Sequence, residues 1–491
     1  MSFIFGDSFD CYAAVADLSA GYWDSITAGA LSLQAGRFAG SQALQFSSAS
    51  TTNLTKSSAV NDAVHHISVA YRQTATLSGT TAGLYFQFID NVTNQCCIVF
   101  RPDGTILLTS ATPVGTTLAT YSGAVTAANT WFQFEFEVII SNTVGRFRAR
   151  KNGNTSDDFD SGAVLNTRPG ANSYANKLFI AESTTVLAVQ IDDLLWRSDT
   201  ASVAWIGDTR SYTRMPASDA AAQFAKSPTT ITQVLSNNVS FGSVIADRGS
   251  AAQFVASISG VMSGGTFSVN ANATAHVKLA LYDSTRTTLL ATSTEITNPT
   301  TGTVSFVFPT PPAIIRGQTY ILTINQDASV TYNVASTANT MLQSGVSYAG
   351  YPPANITTWP VPSVNSIPTM SVIYTPSNAG LVNETTQDGT TSYVYDATVN
   401  DADFYNIGTL ASTPASVVAV TTRAFMAKSD AGARTGTVQI KSGATTVAAP
   451  TLSLSTSFLW AWRTDTTDPA TGTTWTAAAV SASTIGPKVV A

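Results

Sequence analysis

The stretch "TWFQFEFEVIISNTVGRFRARKNG", residues 130–153, decides the fold class. Taken at a period of two, Phe132, Phe134, Phe136 and Val138 share one face, and Gln133, Glu135 and Glu137 share the other. In the second run Phe147 and Ala149 fall together, with Arg146, Arg148 and Arg150 opposite. Folding back through "NTVG" sets the arginines opposite or diagonal to Glu135 and Glu137, which is favourable cross-strand pairing. Two carboxylates at i and i+2 on one sheet face also have the layout of a β-sandwich glycosidase acid pair. Arginine partners would keep both ionised, however, whereas a general acid needs its pKa raised. The residues therefore favour structural pairing over catalysis.

The same alternation recurs outward from this hairpin. "GLYFQFID", "CCIVFRPDGTILLTS", "NKLFIAES" and "VQIDDLLWRS" are short apolar runs separated by turns, and the Pro-Asp-Gly in the second is a hairpin signal. Residues 1–207 behave as one sandwich. A connector with one helical turn is expected over 208–232, where alternation is lost. Strands return over 233–376, with Val304, Phe306 and Phe308 alternating, then Tyr320, Leu322 and Ile324. Residues 377–491 form a third series, including "GTVQIKSG" and "FLWAWRTD". Composition agrees. Only 11% of the 491 residues are charged, so helix formers such as Glu and Lys are scarce while strand and turn formers abound. The expectation is an all-β chain of three β-sandwich, jelly-roll-like domains in series.

Composition also excludes function classes. A net charge of −6 with no basic stripe argues against nucleic-acid binding. No apolar run approaches the ~20 residues of a membrane helix, and "MSFIFGDSFDCY" has no secretory leader pattern. Cys11, Cys96 and Cys97 have neither disulfide nor metal-site spacing, which suits a reducing cytoplasm. The three histidines are His65, His66 and His276, and no Gly-x-Ser-x-Gly turn, HExxH helix or phosphate-binding loop occurs. His65 and His66 open a strand and should split into one packed and one surface side chain.

Two further groups are candidate site residues. Asp192 and Asp193 stand side by side in "VQIDDLLWRSD", residues 189–199. On a regular strand they face opposite sides, so they should not form one dyad, and they mark the end of a domain. Tyr348, Tyr351 and Trp359 lie in the proline-rich loop "YAGYPPANITTWPVP" and are candidate glycan contacts if exposed. The competing expectation is that they staple the loop onto its sandwich. Trp460 and Trp462 alternate in "FLWAWR" and suit a packed strand face or a subunit contact.

Residues 1–210 resemble the laminin-G-like, concanavalin-type sandwiches common in virion proteins of tailed bacteriophages and prophages. The likeness lies in "GDSFDCYA", "GRFAGSQALQF", the hairpin above, "QIDDLLWRSD" and "WIGDTRSY". The C-terminal stretch is similar to sandwiches of related phage proteins through "NETTQDGTTSYVYDATVNDADFYNIGTL" and "DAGARTGTVQIKSG". The middle stretch is similar only in general terms to galactose-binding-like jelly rolls. The resemblance implies a non-enzymatic virion protein made in the host bacterial cytoplasm, tail-associated or fibre-like, without cofactor. Its partners would be other virion proteins, copies of itself in a homo-oligomer, and host-surface polysaccharide. It also implies Ca²⁺ as the one metal to consider, at Asp192 and Asp193. The alternatives are a head or collar decoration protein, a carbohydrate-binding receptor protein that would depend on Trp359, and a glycan-cleaving tailspike that would need Glu135 and Glu137 free in a groove.

Overall fold

The structure, a computed structural model, describes the chain apart from residues 1, 28, 30, 48–51, 184–187, 203, 236–239, 245, 247–248, 345, 358–363, 385–386 and 411–412. Strands hold 49% of the residues and helices 4%, which makes the protein all-β. Two compact units form. One comprises Met1–Met215, Glu384–Asp388 and Ala397–Ala491; the other comprises Pro216–Asn383 and Gly389–Asp396. None of the described helices is long and apolar enough to cross a membrane.

In the first unit two antiparallel sheets face each other. One runs Phe159–Asp160, Arg146–Lys151, Phe132–Ile139, Val64–Gln73, Ala188–Asp199, Gln42–Ser47 and Leu31–Ala35, with Ser2–Asp7 also paired to Ala188–Asp199. The other runs Thr117–Tyr121, Ile106–Ser110, Thr93–Phe100, Leu84–Asp90, Ala175–Glu182, Asn53–Asp62 and Ser25–Thr27. Phe134, Phe136 and Val138 are fully buried between them, with Tyr71, Phe86, Phe100 and Ile98. Each such side chain contributes roughly 1.5–3 kcal/mol by leaving water, so alternation along these strands is what selects the sandwich. The expected hairpin after Phe100 is present: Phe100 pairs with Ile106, and Gly104 takes a positive φ of 84°. A Cβ there would meet the Val125 carbonyl oxygen at 2.1 Å, so glycine is required on both counts.

Residues 397–491, expected as part of a further sandwich in series, share this unit with the first sandwich. Phe404–Asn406, Thr484–Val489, Thr435–Ser442 and Thr445–Ala448 form one sheet, and Val420–Met426 pairs with Leu459–Asp465. Trp460 belongs to the first sandwich's core, and its indole donates to the Asp17 carbonyl at 3.1 Å. Trp462 meets Tyr22 edge-on at 5.3 Å. Arg423 lies over the Tyr22 ring, donates to the Tyr12 hydroxyl at 3.1 Å, and sits 3.6 Å from Asp7. The alternating tryptophans are thus a packed face.

The second unit is built on one large antiparallel sheet in the order Ile231–Val234, Met370–Pro376, Gly260–Val269, Val330–Ser344, Gly249–Val255, Thr319–Gln326, His276–Asp283 and Leu289–Thr292. Its core includes Phe267, Leu279, Phe306, Leu322, Tyr332 and Tyr374. Instead of a helical turn, residues 208–232 contain the strands Ser218–Ala221 and Ala225–Ser227 and the start of Ile231–Val234. Ala225–Ser227 pairs with Tyr393–Tyr395 as a two-stranded ribbon.

Candidate functional site

The polar side of the Phe132–Ile139 strand, where pairing with arginines was expected in preference to catalysis, is covered. Gln133, Glu135 and Glu137 point away from the aromatic core, yet all three are buried. Register fixes their neighbours: Glu137 pairs with Arg148 and Glu135 with Arg150 on one side, and with His66 and Ser68 on the other. Arg148 donates from Nε to Glu137 Oε1 at 2.7 Å, and His66 Nε2 lies 3.1 Å from Glu137 Oε2. Burial pushes the Glu137 carboxyl up, but His66 and Arg148 outweigh it and hold it below the usual range. Burial lowers His66. Arg150 turns instead to Asp157 at 2.8 Å, and Glu135 finds Arg197 at 3.4 Å.

What covers this face is the segment 204–213, which pins itself to the sheet point by point. The backbone N–H groups of Ile206 and Gly207 donate to Glu135 at 2.8 and 3.0 Å. Trp205 lies over the face, with the Arg148 and Arg150 guanidinium carbons 5.1 and 4.8 Å from its ring and His66 edge-on at 5.8 Å. Thr209 shares its hydroxyl with Ser68 at 2.6 Å and accepts from the Gln133 amide at 3.0 Å. Asp208 takes both Arg37 guanidinium nitrogens, at 2.7 and 2.9 Å. Thr213 closes the run on Ser8 at 2.8 Å. One histidine of the pair was expected at the surface, but His66 is buried beneath this strap. His65 is buried too, between the Trp196 indole N–H at 3.2 Å and the Asp62 carbonyl at 2.9 Å, and burial lowers its pKa to about 3.

Asp192 and Asp193 lie at the edge of the same network, and here the regular-strand expectation fails. The register of Ala188–Asp199 on Val64–Gln73 shifts between Asp192 and Leu195, and Asp193 takes a φ of +50°. A residue in this left-handed region breaks the alternation of faces. Both carboxyls consequently meet beside Arg37. Asp192 accepts from the Arg37 backbone N–H at 2.8 Å and from its neighbour's N–H at 2.7 Å. Asp193 accepts from the Ser211 N–H at 2.7 Å, with Arg37 Nη1 at 3.7 Å. Burial raises both acids, and Asp192 raises Asp193 further. The positive charge beside the pair is therefore the chain's own arginine, and the pair ties strap to strand. No group of three or more His, Cys, Asp or Glu placed to hold a metal occurs among the described residues.

The loop aromatics are also accounted for. Tyr348 is buried, donates to Glu295 at 2.8 Å and lies beneath the Lys278 ammonium at 4.7 Å. Tyr351 packs with Tyr282, Ile321 and Ile356, its hydroxyl 2.5 Å from that of Thr323. Neither ring has an open face for a sugar; they staple the loop down. Trp359 lies outside the described residues. The three cysteines are free and buried, and burial pushes Cys11 up to about 12, so none is a poised nucleophile.

Fold and site together define an all-β sandwich protein with an acid-rich sheet face that is sealed by its own chain. No family model matches the sequence, and no curated protein does. Among solved structures the chain is similar to the catalytic domain of a glycoside hydrolase family 131 protein from Coprinopsis cinerea, with 14% identity, 42% of this chain and 99% of that one covered, and a TM-score of 0.30. It is similar to the carbohydrate recognition domain of Emp46p, with 9% identity, 40% and 98% covered, and a TM-score of 0.27. A galectin of Caenorhabditis elegans shows 14% identity, 31% and 95% coverage, and a TM-score of 0.21. These likenesses are too distant to bear on activity.

Proposed function

We propose that this chain is a non-enzymatic structural protein of a tailed-bacteriophage virion, a tail-associated or fibre-like component that assembles with other virion proteins and with copies of itself. The closed polar face carries the non-enzymatic part. Glu135 and Glu137 are buried beneath residues 204–213, and the cations Arg197 and Arg148 lie beside them. Such a pair has no groove for a glycan, and Glu137, held ionised by His66 and Arg148, cannot protonate a leaving group. The viral setting is supported by the resemblance of residues 1–210 and of the C-terminal stretch to phage sandwiches. Three buried free thiols suit synthesis in a reducing bacterial cytoplasm.

The test is a cryo-EM reconstruction of the particle produced with this chain, traced through both units. Symmetric copies with residues 1–210 against another structural protein are the expected outcome. A chain absent from every particle, and monomeric in solution, would overturn the reading.

A further inference from the structure

The chain contains 23 Phe, 16 Tyr and 8 Trp, yet among the described residues only two aromatic side chains are exposed, Tyr393 at 37% and Tyr395 at 52%. They are not scattered. Both lie on the strand Tyr393–Tyr395, two residues apart and therefore on one face, with ring centroids 5.8 Å apart and planes inclined by 52°. Across the ribbon their partners are Ser227 and Ala225, side chains too small to shade either ring. The other face is committed: Val394 is half-buried, and the Lys226 ammonium opposite it is tied to the Pro376 carbonyl at 2.5 Å.

We infer that Tyr393 and Tyr395 form a stacking platform for a neutral glycan chain. Every other aromatic side chain among the described residues is buried or half-buried, so two adjacent open rings are an exception that folding does not explain, since burying each would be favourable. The ligand class follows from the geometry. Sugar rings present apolar C–H faces bordered by hydroxyls, which suit a tyrosine's apolar face and polar tip. Two rings at this separation and inclination match successive sugars turned about a glycosidic bond, whereas one planar ligand could lie on only one of them. The ribbon's sole charged side chain, Lys226, is occupied on the far face, so nothing selects an anionic sugar. A protein partner would need several hundred Å² of complementary surface, and the small neighbours Ala225 and Ser227 offer little. The inference rests on this ribbon alone, so its failure would leave the virion reading standing.

The test uses the full chain on an array of bacterial surface polysaccharide fragments and neutral gluco- and galacto-oligosaccharides, followed by calorimetry on the strongest binder. Tyr393→Ala and Tyr395→Ala should each weaken binding about tenfold or more, and Tyr393→Phe and Tyr395→Phe should retain it within about threefold. Unchanged melting temperatures would exclude misfolding as the cause. Wild-type protein that binds nothing on the array would overturn the inference. So would a double alanine variant that binds as well as wild type, or one that changes only the oligomeric state.

Discussion

At the scale of single residues, the decisive contacts are charges that the fold removes from water. Alternation and the hairpin made legible that the arginines lie opposite or diagonal to Glu135 and Glu137, and the strands pair Arg148 directly with Glu137. Removing one member of a buried pair strands the other. Arg148→Met should therefore cost about 3 kcal/mol or more in denaturant unfolding, with Glu137→Gln milder because His66 is left beside a neutral amide. Equal, small losses from both would mean that the pair is solvated. The Asp192 and Asp193 contact was not legible, because alternation gives no warning of a non-glycine residue at positive φ. Its consequence is a pH dependence. Both acids are raised in the folded state, so the folded chain holds their protons more tightly than the unfolded chain does. Their contribution to stability is fullest below about pH 4 and is lost as pH rises through the raised values toward neutrality. Asp193→Asn should accordingly flatten the fall in melting temperature from acid to neutral pH; parallel profiles would assign that fall to other groups.

Among elements, strands and strap differ sharply in how far sequence reveals them. The sandwich strands announce themselves by period two, and "RPDG" marks its turn by chemistry. The strap has no period. Its partners lie far away in sequence, 71 residues for Ile206 with Glu135 and 171 for Arg37 with Asp208, so no local pattern could report them. The stapling of the loop by Tyr348 and Tyr351 was one of two expectations, but its partners Glu295 and Thr323 were not legible. Trp205 is the strap's largest contact with the sheet. Trp205→Ala should cost roughly 1–3 kcal/mol, less than a core tryptophan because the ring is only half-buried. It should also speed exchange of the Ile206 and Gly207 amides with solvent. Loss of stability without faster exchange would locate the tryptophan's role elsewhere.

For the molecule as a whole, composition and alternation conveyed an all-β chain, but not that residues 397–491 share a unit with the first sandwich. That depends on side chains meeting across more than 400 positions, as when the Trp460 indole reaches the Asp17 carbonyl. Trp460→Ala should cost about 3–5 kcal/mol and separate the melting of the two parts in calorimetry; an unaltered single transition would show that the contact does not couple them. The central claim is narrower: the acid-rich face is closed by the chain itself, with Glu135 and Glu137 beneath residues 204–213. Hydrogen exchange of residues 204–213 in the intact protein tests this most directly. The account predicts exchange as slow as in the neighbouring strand Phe132–Ile139, because the Ile206, Gly207 and Ser211 amides are bonded to buried carboxylates. Exchange as fast as in an exposed surface loop would mean an open face, and would return Glu135 and Glu137 to candidacy for chemistry.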